Sequence, residues 1–191
     1  MAHRTERKSV RVFWDYENIQ VPADVPFRRA VEALTTLAGS YGSLSEPVKA
    51  FMDTAHYHKA RGQLQENGVD VIDTPHRGRK EGNEQSEPVA DVMIITQMLC
   101  FGLEQPASRV VILVTGDQGF RYPASILQQK QCTVVLVTSG PLRDEVEMGW
   151  SVTATLHFRI DVLRLPLKQK PPKQKPPKRV LDTSSRFNFQ E

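Results

Sequence analysis

Cysteine is scarce in this chain: of 191 residues only Cys100 and Cys132 carry thiols, and they form neither a CxxC pair nor the ligand spacing of a zinc site. Both stand in apolar stretches, QMLCFGL and QKQCTVVLV, which predicts two reduced core thiols and suits an intracellular setting, cytoplasmic or nuclear. No apolar run is long enough to span a bilayer, so no membrane partner is expected. The opening MAHRTERKSV lacks the apolar segment of a secretory signal. The chain has no GxGxxG and no GxxxxGK[ST] motif, which argues against dinucleotide and ATP sites of those types. It has no GxSxG elbow, which argues against a serine hydrolase of that kind.

What is present is unevenly distributed. Hydrophobic residues make up 39% of the chain, enough for one core once a polar tail is allowed for. The formal net charge is +3, yet from Arg164 onward eight Lys/Arg face only Asp182 and Glu191, so that segment carries +6 and residues 1–163 carry −3. The tail repeats KQKPP at 168–172 and 173–177 and lacks core residues, so 166–191 reads as an extended basic segment. Its charge suits an acidic partner: nucleic acid, an anionic surface or an import receptor.

Between the termini, strand and helix patterns alternate. Strands are predicted at 10–14, 48–52, 69–73, 109–115 and over CTVVLVT, and residues 151–165 hold a last strand or helix. The run RVVILVT is continuously apolar and β-branched, as in a parallel strand covered on both faces. The first helix has Asp24 as a candidate cap, Pro26 in its first turn, an apolar face of Val31, Leu34, Leu37 and Ala38, and an end at Gly39 or Gly42. A short helix in AHYHKARGQLQENG stops at Gly68, and the polar stretch 74–87 reads as a loop. A strong helix follows at 88–101, with Val92, Ile95, Met98 and Leu99 as its apolar face, and FRYPASILQQKQ forms another. This alternation predicts an α/β fold, a three-layer sandwich with a mainly parallel central sheet of order 3-2-1-4-5. The first and fourth predicted strands are then neighbours at the reversal of strand order, where ligands bind in open α/β sheets.

That topology gathers carboxylates. In RVFWDYENIQVP the first strand ends at Asp15 and runs on through Glu17 and Asn18 with no glycine or proline before Pro22. Asp117 follows the fourth strand in TGDQGF, and Asp91 lies in the first turns of the helix EPVADVMIITQ. Taken singly, each has a structural reading as a turn, cap or first-turn acid. Together on one rim they repel, and a divalent cation relieves that repulsion. Mg²⁺ takes a few carboxylates, waters and substrate phosphates, and such an ion supports phosphodiester hydrolysis.

These segments, VFWDYENIQVP, EPVADVMIITQML and VVILVTGDQGF, resemble the three signatures of NYN domains, ribonuclease domains of PIN-like type. The FWDxEN opening is most similar to a limkain-type branch. The resemblance spans about residues 9–163 and implies an NYN domain over 9–165, a PIN-like sandwich and a Mg²⁺ or Mn²⁺ site that cuts RNA. By position it implies Asp15, Asp91 and Asp117 as catalytic metal ligands, with Asn18, Glu17 and Thr115 in support. Many NYN domains carry a second acid two residues after the last of these, where this chain has Gly119; Gln118 is then a candidate source of an amide oxygen. The alternative implied by Gly119 is an RNA-binding or protein-interaction module in RNA regulation that does not cut. A phosphatase-like use of Asp15 as nucleophile fits less well, because Glu17 stands where such sites place a second Asp.

Other residues bear on the substrate. Arg77, Arg79 and Lys80, with His76, precede the Asp91 helix and are candidate RNA-phosphate contacts, as are Lys168, Lys170, Lys173 and Lys175 of the tail. His56 and His58 lack a third ligand and read as surface or partly buried histidines. Tyr16 and Tyr57 are able to stack on bases, but packing roles fit them better.

Overall fold

A computed structural model of the chain describes residues 7–74, 89–139 and 152–166. Strands β1 (Ser9–Asp15), β2 (Ser43–Leu44), β3 (Lys49–Met52), β4 (Asp70–Asp73), β5 (Arg109–Val114), β6 (Thr133–Thr138) and β7 (Ala154–His157) form one sheet. Its order is β4-β3-β1-β5-β6-β7, with the short β2 beside β1, and every pairing is parallel. The five strands expected from the sequence therefore stand in the expected order, and residues 154–157 add a further edge strand. The two-residue β2 was not expected; it is too short to show a periodicity.

Strand alternation divides the core into two layers. Val10, Val12 and Trp14 of β1 join Ile112 and Val114 of β5 under helix α1 (Phe27–Tyr41), with Leu64 of α2 (His58–Glu66) and Phe158 beyond β7. Phe13 of β1 joins Val111 and Leu113 of β5 on the opposite face, under α3 (Val89–Glu104) and α4 (Arg121–Gln129). Consecutive strand residues thus feed opposite layers, as the pleat requires. β5 lies between β1 and β6 with both faces covered, and its last five residues are buried.

Helix α1 buries Val31, Leu34, Leu37 and Ala38 as the spacing predicts, and it ends where the Gly42 amide donates to the Ala38 carbonyl. Asp24 does not cap it. Pro26 holds the cap position with no side-chain bond, and the Asp24 carboxylate instead accepts from Arg159 at 2.6 Å. Gly68 ends the α2 region with φ +80, a left-handed conformation that glycine adopts without a Cβ clash.

Helix α3 corrects one expected face. Its buried residues are Ala90, Ile94, Met98, Phe101 and Gly102, while Val92 is 59% exposed. The helix is apolar nearly all round, so residue type alone left its rotation open; the stripe facing the sheet is the i, i+4, i+8 row from Ala90. The same rotation leaves Cys100 exposed, contrary to the expected pair of core thiols, while Cys132 is buried.

Candidate acidic site at the strand ends

The site begins with how β1 ends. Trp14 is buried, and its indole N–H donates to the Ile19 carbonyl at 2.6 Å, so the core ring also ties down the segment that follows it. The Ile19 amide donates to the Asp15 carbonyl at 3.0 Å and the Tyr16 amide to the Phe51 carbonyl at 3.1 Å. The chain therefore leaves the sheet in one tight turn without glycine or proline. The polar exit is a wound turn held by the core.

That turn keeps Asp15 only 4% exposed. Its Oδ2 accepts from the Thr115 hydroxyl at 2.8 Å and its Oδ1 from the Asn18 amide at 3.3 Å. Thr115 Oγ1 in turn accepts the Asp117 amide at 3.1 Å, which leaves the hydroxyl proton for Asp15. Burial nevertheless pushes the Asp15 carboxyl up to about 6; the bonds from Thr115 and Asn18 oppose that shift, and the charges of Asp91 and Glu17 reinforce it.

A second latch joins the same two strand ends. The Gly116 amide donates to Asn18 Oδ1 at 3.0 Å. A Cβ at Gly116 would approach that oxygen to 2.9 Å, so a side chain there would push the Asn18 amide away from its bond. Asp117 then caps the short turn Gln118–Phe120 by accepting the Gly119 amide at 2.7 Å. The amide oxygen of Gln118 accepts from Arg121 at 3.3 Å, an engagement the sequence did not suggest.

Asp91 lies in the first turn of α3, as expected. Burial raises its carboxyl above the ordinary value, and the charges of Asp117 and Glu17 raise it further. The acids at the ends of β1 and β5 and the start of α3 thus share one electrostatic environment. Among the described residues, no three His, Cys, Asp or Glu side chains come together as a metal-holding group. The donors are hard oxygens that repel one another, and Mg²⁺ sites commonly use one or two carboxylates with waters and substrate phosphates. The donor chemistry fits a hard divalent cation without a three-acid cluster.

Glu17 has a structural role here. Its Oε1 accepts the Asp53 amide at 2.7 Å and the Thr74 hydroxyl at 3.2 Å, which ties the β1 exit to the ends of β3 and β4. Asp53 and Thr74 are the residues that sequence reasoning missed. Thr74 is fully buried, and its only sequence signal was its place after the third predicted strand. Tyr16 is buried among Trp14 and Tyr57, a packing role as expected. His56 and His58 are exposed. Arg77, Arg79, Lys80, Lys168, Lys170, Lys173 and Lys175 lie outside the described residues.

The parallel α/β sandwich is the architecture of a PIN-like domain. The sequence pattern of the NYN domain matches residues 9–148, and the chain belongs to that family. NYN domains are PIN-like, are typically nucleases and generally use divalent metals. A protein of unknown function from Vibrio parahaemolyticus has a similar solved fold, with a TM-score of 0.62 and 16% identity over 85% of this chain and 98% of that one. No curated protein matched the sequence. No helix among the described residues is long and apolar enough to cross a membrane.

Proposed function

We propose that the chain is a metal-dependent endoribonuclease, hydrolysing RNA phosphodiester bonds at the rim formed by Asp15, Asp91 and Asp117. The observation that carries this reading is Asp15: a buried carboxylate fixed by Thr115 and Asn18 and raised by burial and by the charges of Asp91 and Glu17. A group kept at such a cost to folding has a use for its charge. In this reading one or two of the carboxylates of Asp15, Asp91 and Asp117 would hold Mg²⁺ or Mn²⁺, with waters and the substrate phosphate completing its shell. When bound, that ion supplies the Lewis acidity that phosphodiester hydrolysis needs. Thr115 positions Asp15, the Asn18 side chain holds the Gly116 turn against it, and Glu17 braces the β1 exit from the other side. The limkain-type branch rests on the FWDxEN opening alone. The functional unit is residues 9–165, and the Lys/Pro-rich segment 166–191 adds phosphate contacts.

The test is cleavage of RNA with Mg²⁺ or Mn²⁺ by the wild type and by Asp15→Asn. The proposal expects cleavage by the first alone; cleavage that survives the substitution overturns the site.

A second reading has a specific observation in its favour. Gly119 supplies a backbone amide to Asp117 where many relatives place an acid, so the turn offers one carboxylate fewer. An RNA-binding or protein-interaction module follows if neither protein cuts while RNA binding persists.

A further inference from the structure

The ring of Tyr57 has a packing role that its hydroxyl does not share. Tyr57 stands immediately before α2, and its amide donates to the Asp53 carbonyl at 2.9 Å. The Asp53 amide donates to Glu17 at 2.7 Å, so the head of α2 is fastened to the exit of β1. The ring meets Tyr16, the chain neighbour of Asp15, edge-on with centroids 5.6 Å apart at 82°. It meets His56 at 4.6 Å and 80°. These two edge-on contacts orient the phenol.

The hydroxyl oxygen accepts from the side-chain amide of Gln20, a residue of the same β1 exit, at 3.3 Å. A hydroxyl that accepts keeps its own proton to donate. Among the described residues nothing takes that proton. Burial raises the phenol above its ordinary value, and the charges of Glu17, Asp15 and Asp53 raise it further against the Gln20 bond. At neutral pH Tyr57 is therefore an uncharged donor standing in the field of Asp15.

We infer that the Tyr57 hydroxyl donates a hydrogen bond to a non-bridging oxygen of the RNA phosphate seated at the acids, and so orients that phosphate. This rests on the nuclease reading of the rim. Phosphate oxygens brought up to carboxylates are repelled, and a donor on the Glu17 side offsets that repulsion with a charge-assisted bond. Among the described residues no Lys or Arg pairs with Asp15, Asp91 or Asp117. A cationic side chain there would compete with a metal for the carboxylates, whereas a phenol leaves them free.

The experiment is single-turnover cleavage of a short RNA by the full chain in Mn²⁺, with the cut linkage either normal or replaced by each of its two phosphorothioate diastereomers. Tyr57→Phe keeps the ring and its packing, so it should melt like the wild type. It should cut the normal RNA roughly 10- to 100-fold more slowly, the range for one hydrogen bond to a charged oxygen. One diastereomer puts sulfur, a poor acceptor, in the contacted position, and there wild type and variant should cut at the same rate. Equal cleavage of the normal RNA by both proteins overturns the contact and leaves the nuclease reading standing. The same loss on all three RNAs also overturns it, because the substitution then acts through the structure. If the wild type cuts nothing, the nuclease reading falls and RNA affinity in EDTA decides the contact: binding roughly 10-fold weaker for Tyr57→Phe upholds it, and equal affinity overturns it.

Discussion

The Thr115 hydroxyl donates to Asp15 Oδ2 at 2.8 Å across the junction of β1 and β5. Because Thr115 Oγ1 also accepts the Asp117 amide, one side chain sets the position of an acid on each strand end. Thr115→Val keeps the shape but leaves the Asp117 amide and one Asp15 oxygen without their partner. The cost should be about 1–3 kcal/mol, read as a lower urea midpoint, with Thr115→Ser close to wild type. A Thr115→Val variant as stable as the wild type, beside a destabilised Thr115→Ser, would mean that the methyl group matters and the hydroxyl does not.

Asp15 should make stability depend on pH. Its folded value of about 6 lies above the ordinary 3.8, so the native state holds the proton more tightly than the unfolded chain. Its contribution is most favourable below the unfolded value and is lost as pH rises from 3.8 to about 6. The full cost above that window is on the order of 3 kcal/mol. In EDTA, Asp15→Asn should therefore melt above the wild type at pH 7.5, and the gap should close near pH 4. A gap of the same size at both pH values contradicts this.

Gly116 and Asn18 should be coupled. Gly116→Ala places a Cβ within 2.9 Å of Asn18 Oδ1 and should cost about 1–3 kcal/mol. Asn18→Ala removes the obstructing amide, so the double variant should be more stable than the sum of the single losses predicts. Chemical denaturation of the four proteins measures the coupling; strict additivity would deny the contact.

Glu17 should act as a brace. Glu17→Ala strips the Asp53 amide and the buried Thr74 hydroxyl of an acceptor and should cost about 1–3 kcal/mol, while Glu17→Gln keeps an oxygen there and should cost less. Neither should abolish Mn²⁺ binding, as titration calorimetry would report. Loss of binding in the glutamine variant at unchanged stability would make Glu17 a ligand instead.

The sequence was most readable where one periodicity had one interpretation. RVVILVT is apolar throughout and became the central strand, and Val31, Leu34, Leu37 and Ala38 repeat at helical spacing and are buried. Strand order followed because alternating elements with parallel crossovers leave few topologies. Where the pattern was degenerate it misled. The apolar surface of α3 extends beyond the stripe that packs, so its composition predicts Val92 and Cys100 in the core, and both lie outside it. Asp24 had the composition of a cap, but Arg159, 135 residues away, holds its carboxylate. The partners of Glu17 lie 36 and 57 residues along the chain, and such contacts leave no local trace. The acids of the rim were legible because topology alone, with no side-chain detail, brings the ends of adjacent strands together.

The account's central claim is that Asp15, Asp91 and Asp117 act on one divalent cation. The most direct measurement is the melting temperature of the wild type and of Asp15→Asn, Asp91→Asn and Asp117→Asn at pH 7.5, each with EDTA and with Mn²⁺. Binding to the native state alone raises stability by mass action. The wild type should show a rise that each substitution removes or sharply reduces. An equal rise in all four proteins, or none in the wild type, would contradict it.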